Sequence, residues 1–388
     1  MKKILIVNNN MKVGGIQKSL CNLLWTIHEQ YQVTLLLFHA QGEYMEELPP
    51  DVQVLPCTSW YRLLGMSQGE CRGRVRLLRG GFAAACKLVG RNLIMPLIER
   101  SQPMLPEQYD CAVSFMQNGN LRHFYGGVNE FVLRNVCAEK KVAFLHCDYK
   151  NCGGNTPENN RLYGEFDWIA ACSEGCRQSF AAVMPALADK CVVVPNCHCY
   201  EKIRACAVEN PVQYSGNKIN ALLVARLAHE KGVERAIAAA AAAVKDGYAL
   251  ELHIVGSGAK EQALKEQVQR VGGEAYVHFY GAQKNPYRFM ENADFLWITS
   301  YHEAAPMVIE EAACLGLPTL STRTSSSEEM IEERGCGWVC DNTQEGIEKA
   351  LRALLQRPEV LAKQREKMRA RSCDNKEALG KIAAIFEK

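Results

Sequence analysis

The feature that most constrains this chain is its alternation, from end to end, of short apolar runs with helical patterns. Residues 4–7, 33–38, 111–115, 142–145, 168–172 and 191–194 read as buried strands, and helical stretches such as 16–29 and 174–183 follow several of them. Uniformly apolar runs of this length suit strands covered on both faces, and the intervening helices supply the cover. The pattern predicts an α/β fold built on a parallel sheet. A second series then begins, with strands expected at 221–224, 251–255, 277–280, 295–298, 318–321 and 337–339. The two series predict two doubly wound, Rossmann-like domains facing each other across a cleft. A chain of 388 residues accommodates them at about 100–200 residues per domain.

The stretch 197–218, with Asn210-Pro211 and the polar Ser215-Gly216-Asn217-Lys218, reads as the linker. The expected division is residues 1–200, residues 201–370, and a helix over 371–388 packing back towards the N-terminal domain. Ligands of doubly wound sheets bind beyond the carboxyl ends of the strands, so the loops following those strands are where functional residues are sought.

Charge and cysteine content narrow the function classes. Lys and Arg number 45 against 43 Asp and Glu, a net charge of +2, which argues against a nucleic-acid partner. The apolar run 4–7 is shorter than the roughly 7–15 residues of a secretory signal. The longest run elsewhere, 236–244, falls short of the ~18 needed to cross a membrane. A cytoplasmic location is therefore expected, in which the 18 cysteines stay reduced. Cys172-x3-Cys176 and Cys197-His198-Cys199 lack the two paired ligand sets of a zinc site, and no metal ligand is assigned.

The densest motif is Ser300-Tyr301-His302-Glu303-Ala304-Ala305-Pro306-Met307-Val308-Ile309-Glu310-Glu311, closing at Gly316-Leu317-Pro318. Pro306 suits the first helical position, and Gly316 suits a left-handed stop. A helix of roughly ten residues is expected to start at Pro306 and Met307, directly beyond a strand. Its amino-terminal amides form an anion site suited to a diphosphate. Glu303 and Glu311 bracket that start, placed to accept hydrogen bonds from sugar hydroxyls. Surface helices commonly carry Glu, however, and Glu310 adjoins Glu311.

Three further loops add candidates. In Val224-Ala225-Arg226-Leu227-Ala228-His229-Glu230-Lys231-Gly232, Arg226 and Lys231 offer two cations for two phosphates. Gly14-Gly15 follows the first strand and opens a helix at Ile16, where backbone can approach an anion closely. His146 stands at the end of the strand 142–145. The run Gly256-Ser257-Gly258-Ala259-Lys260-Glu261 imitates a dinucleotide fingerprint, but Glu261 occupies the third glycine's place, so nicotinamide binding is disfavoured.

Residues 61–100 differ in kind. Arg62, Arg72, Arg74, Arg76, Arg79, Lys87, Arg91 and Arg100 oppose only Glu70 and Glu99, interleaved with Leu77, Leu78, Phe82, Leu88 and Leu93. Two readings stand side by side. One is a basic amphipathic surface for anionic lipid headgroups or an acceptor, with Arg72, Arg74, Arg76 and Arg79 as contacts. The other is a solvated helical face packed on the sheet.

Together these residues resemble the family 4 retaining glycosyltransferases of GT-B fold, of the bacterial surface-polysaccharide type. Glu303 and Glu311 match that family's Glu-x7-Glu pair. Arg226 to Gly232 matches "R-L-x-x-E-K-G", Gly14-Gly15 the amino-terminal glycine loop, and Val194-Pro195-Asn196 its "I-P-N" segment. Phe144-Leu145-His146-Cys147-Asp148-Tyr149 is similar to "W-I-H-x-D-Y". The resemblance implies a nucleotide-diphosphate-sugar co-substrate, with a UDP-sugar the expected donor, and no separate cofactor. It implies that Glu311 holds the ribose, Glu303 the donor sugar or leaving phosphate, and Arg226 and Lys231 the diphosphate. The resemblance further implies that His146 contacts the sugar from the other domain. The implied activity is metal-independent, retaining hexosyl transfer to a glycan or lipid-linked acceptor, at the inner face of the membrane.

One departure concerns Ala304-Ala305, where the family commonly has Gly and a bulky residue. It leaves the identity of the donor open and supports one alternative, a non-catalytic subunit that binds a partner transferase or glycan; a nucleotide-sugar epimerase is a third reading.

Overall fold

A computed structural model describes residues 1–214 and 216–387; Ser215 of the expected linker lies outside the described residues. The chain forms two compact units, one of residues 1–198 joined by the segment from Asn375 onward, the other of residues 199–374.

The first unit holds a parallel sheet of β1 (Lys3–Asn8), β2 (Gln32–Leu37), β3 (Gln53–Pro56), β4 (Gln108–Ser114), β5 (Cys137–Leu145), β6 (Trp168–Ala171) and β7 (Cys191–Val193). Their order is β3-β2-β1-β4-β5-β6-β7, with β1 pairing Ile4 to Val33 on one side and to Cys111 on the other. Strand β1 is buried over its last five residues, as an apolar run covered on both faces should be. Only β3 escaped the sequence pattern. It is a short edge strand, Gln-Val-Leu-Pro, whose half-buried residues form no apolar run.

The helix Gly15–Ile27 buries Leu20, Leu23, Leu24 and Ile27 at helical spacing against this sheet. The helix Glu174–Val183 is capped by Ser173, whose side chain accepts a 3.2 Å bond from the amide of Cys176. The helix Lys376–Glu387 returns to the same core with Ile382, Ile385 and Phe386. There Tyr31 meets Phe386 edge-on at 5.5 Å, and its hydroxyl donates to Glu387 at 3.0 Å.

The second unit is a parallel sheet of β8 (Ile219–Val224), β9 (Leu250–Val255), β10 (Val277–Phe279), β11 (Phe295–Ile298), β12 (Thr319–Thr322) and β13 (Gly337–Cys340), ordered β10-β9-β8-β11-β12-β13. The stretch read as a linker is not extended throughout. Tyr200–Ala207 is a helix whose Ile203 and Ala207 enter this unit's core, because its apolar residues recur at helical spacing. The expected helix start at Pro306 is also shifted by one residue. Pro306 keeps extended backbone as the residue before the helix Met307–Cys314, and Gly316 takes the left-handed φ of 70° that ends it. Likewise the helix expected from Ile16 begins at Gly15, with Gly14 preceding it.

Most cysteines serve as small apolar core residues. Cys111 is fully buried in β4 and Cys21 nearly so in the first helix, while Cys137 is the one exposed cysteine among the described residues.

Candidate functional site

Strands β8 and β11 are neighbours at which the strand order of the second sheet reverses direction. That is the topological switch point, where doubly wound sheets leave a crevice beyond their carboxyl ends. Two of the sequence candidates meet there. Lys231, from the loop after β8, places Nζ 2.6 Å from Oε1 of Glu303, from the loop after β11. The same oxygen accepts a 2.7 Å bond from the Ser300 hydroxyl, and Ser325 donates to the Glu303 carbonyl at 2.7 Å. Lys231, Ser300, Glu303, Pro306 and Val308 line one recess, at the start of the helix Met307–Cys314.

The loop carrying Lys231 is fixed by close backbone packing. Gly232 adopts φ +57°, and a Cβ there would collide with the Thr299 carbonyl oxygen. The Thr299 hydroxyl donates to the Gly232 carbonyl at 2.9 Å, and the Tyr301 amide donates to Glu230 O at 2.9 Å. Arg235 reinforces this clamp from a buried position. Its guanidinium lies 4.6 Å from the Tyr301 ring centre and 2.7 Å from Asn342 Oδ1. The Asn342 amide in turn donates to the carbonyls of Tyr301 at 3.0 Å and Arg323 at 2.9 Å, tying together the loops after β11, β12 and β13.

Gly256 and Gly258 have a packing role. A Cβ at either would strike the backbone of Ala225 or Leu227, so these glycines let the loop after β9 lie against the loop after β8. Leu227 N donates to Ser257 O at 2.9 Å across that contact. This accounts for the incomplete fingerprint.

Arg226 shares the loop and is 71% exposed, with its guanidinium 2.5 Å from Glu230. Burial opposes ionisation of Glu230, yet a backbone hydrogen bond and Arg226 hold its carboxyl below the usual range. Glu311 lies buried within the helix that starts beside the recess. Its neighbour Glu310 is paired with Arg334 at 2.6 Å.

In the first unit, β1 runs into Asn8, Asn9 and Asn10, all buried. Asn9 donates to Gly126 O at 3.2 Å and Asn10 to Gly65 O at 2.9 Å, which holds the chain on its way to Gly14-Gly15. A Cβ at Gly15 would meet nothing within 4 Å among the described residues, so packing does not require a glycine there. His146 follows β5. Its ring lies 4.6 Å from that of Phe115, and burial pushes its pKa down to about 4. The imidazole is neutral near pH 7.

The basic stretch separates into two populations. Arg72, Arg74 and Arg76 are exposed along the helix Gly73–Val89, near the exposed Leu77 and Leu88. Arg79 is half-buried, donating to Met66 O at 2.8 Å and Gln68 Oε1 at 3.0 Å. Arg91 does not belong to the surface at all. It is fully buried, bonded to Glu130 at 3.0 Å and to Tyr125 O at 2.8 Å. Charge counting along the sequence could not see that partner, 39 residues away.

Sequence reasoning passed over Ser325 and Asn342 and gave Ser300 no role. Ser300 and Asn342 lie within two residues of a strand's carboxyl end, which is the one clue that could have singled them out.

Residues 210–372 match the family model described as glycosyl transferases group 1. Among curated proteins, the amylovoran biosynthesis glycosyltransferase AmsK of Erwinia amylovora is 33% identical over 144 residues, 35% of each chain. The lipopolysaccharide glucosyltransferase WaaG of Escherichia coli is 33% identical over 132 residues, 33% of this chain and 35% of WaaG. The matched segment thus spans about a third of these relatives' length. In fold the likeness runs the length of the chain: HepE of Anabaena, solved with UDP-glucose, aligns over 99% of both chains with a TM-score of 0.68 at 17% identity. Residues 210–372 are therefore similar to group 1 glycosyl transferases, and the chain as a whole has the two Rossmann-like units of the GT-B fold.

Proposed function

We propose that the protein is a retaining glycosyltransferase that moves a hexose from a UDP-sugar to a glycan or lipid-linked acceptor in cell-surface polysaccharide synthesis. The observation that carries this reading is the Lys231–Glu303 pair at the β8/β11 switch point, beside the start of the helix Met307–Cys314. A cation and a helix amino terminus side by side favour a diphosphate. The adjoining carboxylate suits the sugar hydroxyls.

In the proposed reaction the anomeric carbon–oxygen bond to the β-phosphate breaks while the acceptor oxygen bonds to the same face of the sugar. The acceptor's proton passes to the departing phosphate oxygen. Lys231, Arg226 and the amides at Met307 stabilise the charge that develops on the diphosphate, the kind of preorganised electrostatic term that dominates many enzymes. Glu311 holds the ribose, Gly14 and Gly15 give the diphosphate backbone access, and no metal takes part. His146, contributed by the first unit, contacts the sugar as a neutral hydrogen-bonding group. The names of the relatives support this reading, since AmsK is described as an amylovoran biosynthesis glycosyltransferase and WaaG as a lipopolysaccharide glucosyltransferase.

No helix among the described residues is long and apolar enough to cross a membrane. The exposed Arg72, Arg74 and Arg76 with Leu77 and Leu88 support a peripheral contact with anionic lipid at the cytoplasmic face, Arg79 bracing the helix from beneath. The test is a panel of nucleotide sugars incubated with lipid-linked acceptors, reading released nucleoside diphosphate and glycosylated product. Product with retained anomeric configuration is expected. Donor binding with neither product nor release across the panel would replace this reading with a binding subunit.

A further inference from the structure

A second cluster of ligating side chains lies in the same sheet, away from the loops just described. Residues 251 and 253 are two apart in β9 and so project from one face, opposite to Leu250, Leu252 and Ile254, which enter the unit's core. Strand β10 runs parallel at the sheet edge with His278 directly beside His253. Register therefore places Glu251, His253 and His278 together mid-strand.

Their donor atoms converge. Glu251 Oε2 lies 3.6 Å from His253 Nε2 and 3.5 Å from His278 Nε2, and one donor atom from each of the three residues falls within 4.8 Å of the other two. Ligand atoms bound at 2.0–2.1 Å to a tetrahedral ion stand about 3.3–3.4 Å apart, so little movement is needed to close the set. Two imidazoles and a carboxylate form a donor set suited to zinc and similar divalent transition metals.

The surroundings favour the same occupant. His278 Nε2 is buried and has no hydrogen-bond partner among the described residues. Lys218 binds the other oxygen of Glu251 at 2.7 Å, which fixes the carboxylate with Oε2 turned to the imidazoles. His253 Nδ1 lies 3.0 Å from the Tyr280 hydroxyl, the outer partner that a ligating histidine needs.

The Asn220 amide nitrogen donates to Lys218 O at 3.0 Å and Asp294 at 3.2 Å. Its oxygen, 3.1 Å from His253 Nε2, is therefore an acceptor, and without metal that nitrogen carries the proton. Metal entry moves the proton to Nδ1, the Tyr280 hydroxyl turning from donor to acceptor, with no net proton change.

We propose that Glu251, His253 and His278 bind one divalent transition-metal ion of the zinc class, which clips the edge strand β10 to β9. The site is structural. It lies mid-strand on the sheet face, while Lys231 and Glu303 stand in loops beyond the carboxyl ends of β8 and β11.

The test uses the full chain, reduced and stripped with a chelator, then titrated calorimetrically with Zn2+ alone beside His278→Gln and Glu251→Gln. Because 18 thiols also bind zinc, the comparison between chains is what counts. The native chain should take up one equivalent more than either variant, or bind it at least roughly tenfold more tightly, and Zn2+ should raise its unfolding temperature further. Equal stoichiometry and affinity in the native chain and His278→Gln would overturn the proposal. An arm free of mutation follows acylation of His278 by diethyl pyrocarbonate, read by mass spectrometry. Zn2+ should slow modification of that residue, and an unchanged rate would count equally against the site.

Discussion

Lys231 and Glu303 are 72 residues apart in sequence, yet their side chains meet at 2.6 Å and join the two loops that flank the switch point of the second sheet. Both groups are largely shielded, 22% and 11% exposed, so the pair is held in a setting where charge acts strongly. Neither loop places its residue alone. Gly232 and Thr299 lock one to the other, and Ser300 and Ser325 hold Glu303.

Removing either member should therefore abolish transfer without unfolding the chain. For Lys231→Ala and Glu303→Gln we expect turnover to fall by about 10²–10³, with unchanged circular dichroism, as for the loss of one preorganised transition-state contact. Turnover of both variants within twofold of the native protein would remove the pair from the mechanism.

Gly232→Ala tests the clamp. The residue holds φ +57° and its added Cβ meets Thr299 O, so strain and collision act together. A loss of about 1–3 kcal/mol in the stability of the second unit is expected, measured by denaturant unfolding. Gly247→Ala is the informative contrast. It has φ +92° but open space around it, so only the conformational part of the penalty should appear.

The basic stretch should divide along the line of burial. Replacing Arg72, Arg74 and Arg76 together by Glu should abolish sedimentation with anionic vesicles while shifting stability by no more than about 0.5 kcal/mol per site. Arg91→Ala should do the reverse. It strands Glu130 in the interior, at a cost of about 3–5 kcal/mol, and leaves vesicle binding to any chain that still folds.

His146 supplies a pH dependence. Its folded pKa, pushed by burial to about 4, lies below the ordinary histidine value of 6.5, so the unfolded chain binds its proton first as pH falls. Stability is complete above about pH 6.5 and declines as the pH drops from there towards 4. The difference in unfolding free energy between the native chain and His146→Gln, followed across that window, should narrow or reverse with acidification. A pH-independent difference would show that His146 is not buried neutral.

Much of this was readable from the chain because doubly wound sheets announce themselves. Their strands are uniformly apolar, so β1, β8 and β11 stood out, and chemistry collects in the loops after them. That logic reached Lys231 and Glu303, whose side chains the fold brings together. It failed where contact is long-range or periodicity absent. β3 is a half-buried edge strand, the helix Tyr200–Ala207 hid among linker-like residues, and Arg91 looked like a surface cation until Glu130 was placed beside it. The Glu251, His253 and His278 cluster was illegible for the same reason. His253 and His278 become neighbours only through parallel register between β9 and β10, a spacing that no linear metal motif encodes.

The central claim is that a nucleoside diphosphate sits at the β8/β11 switch point against Lys231. Calorimetric titration of UDP into the native chain and Lys231→Ala tests it most directly. The account predicts one equivalent bound by the native chain and affinity at least roughly tenfold weaker in the variant, a loss of about 1.4 kcal/mol or more. Equal affinity in the two chains would contradict it.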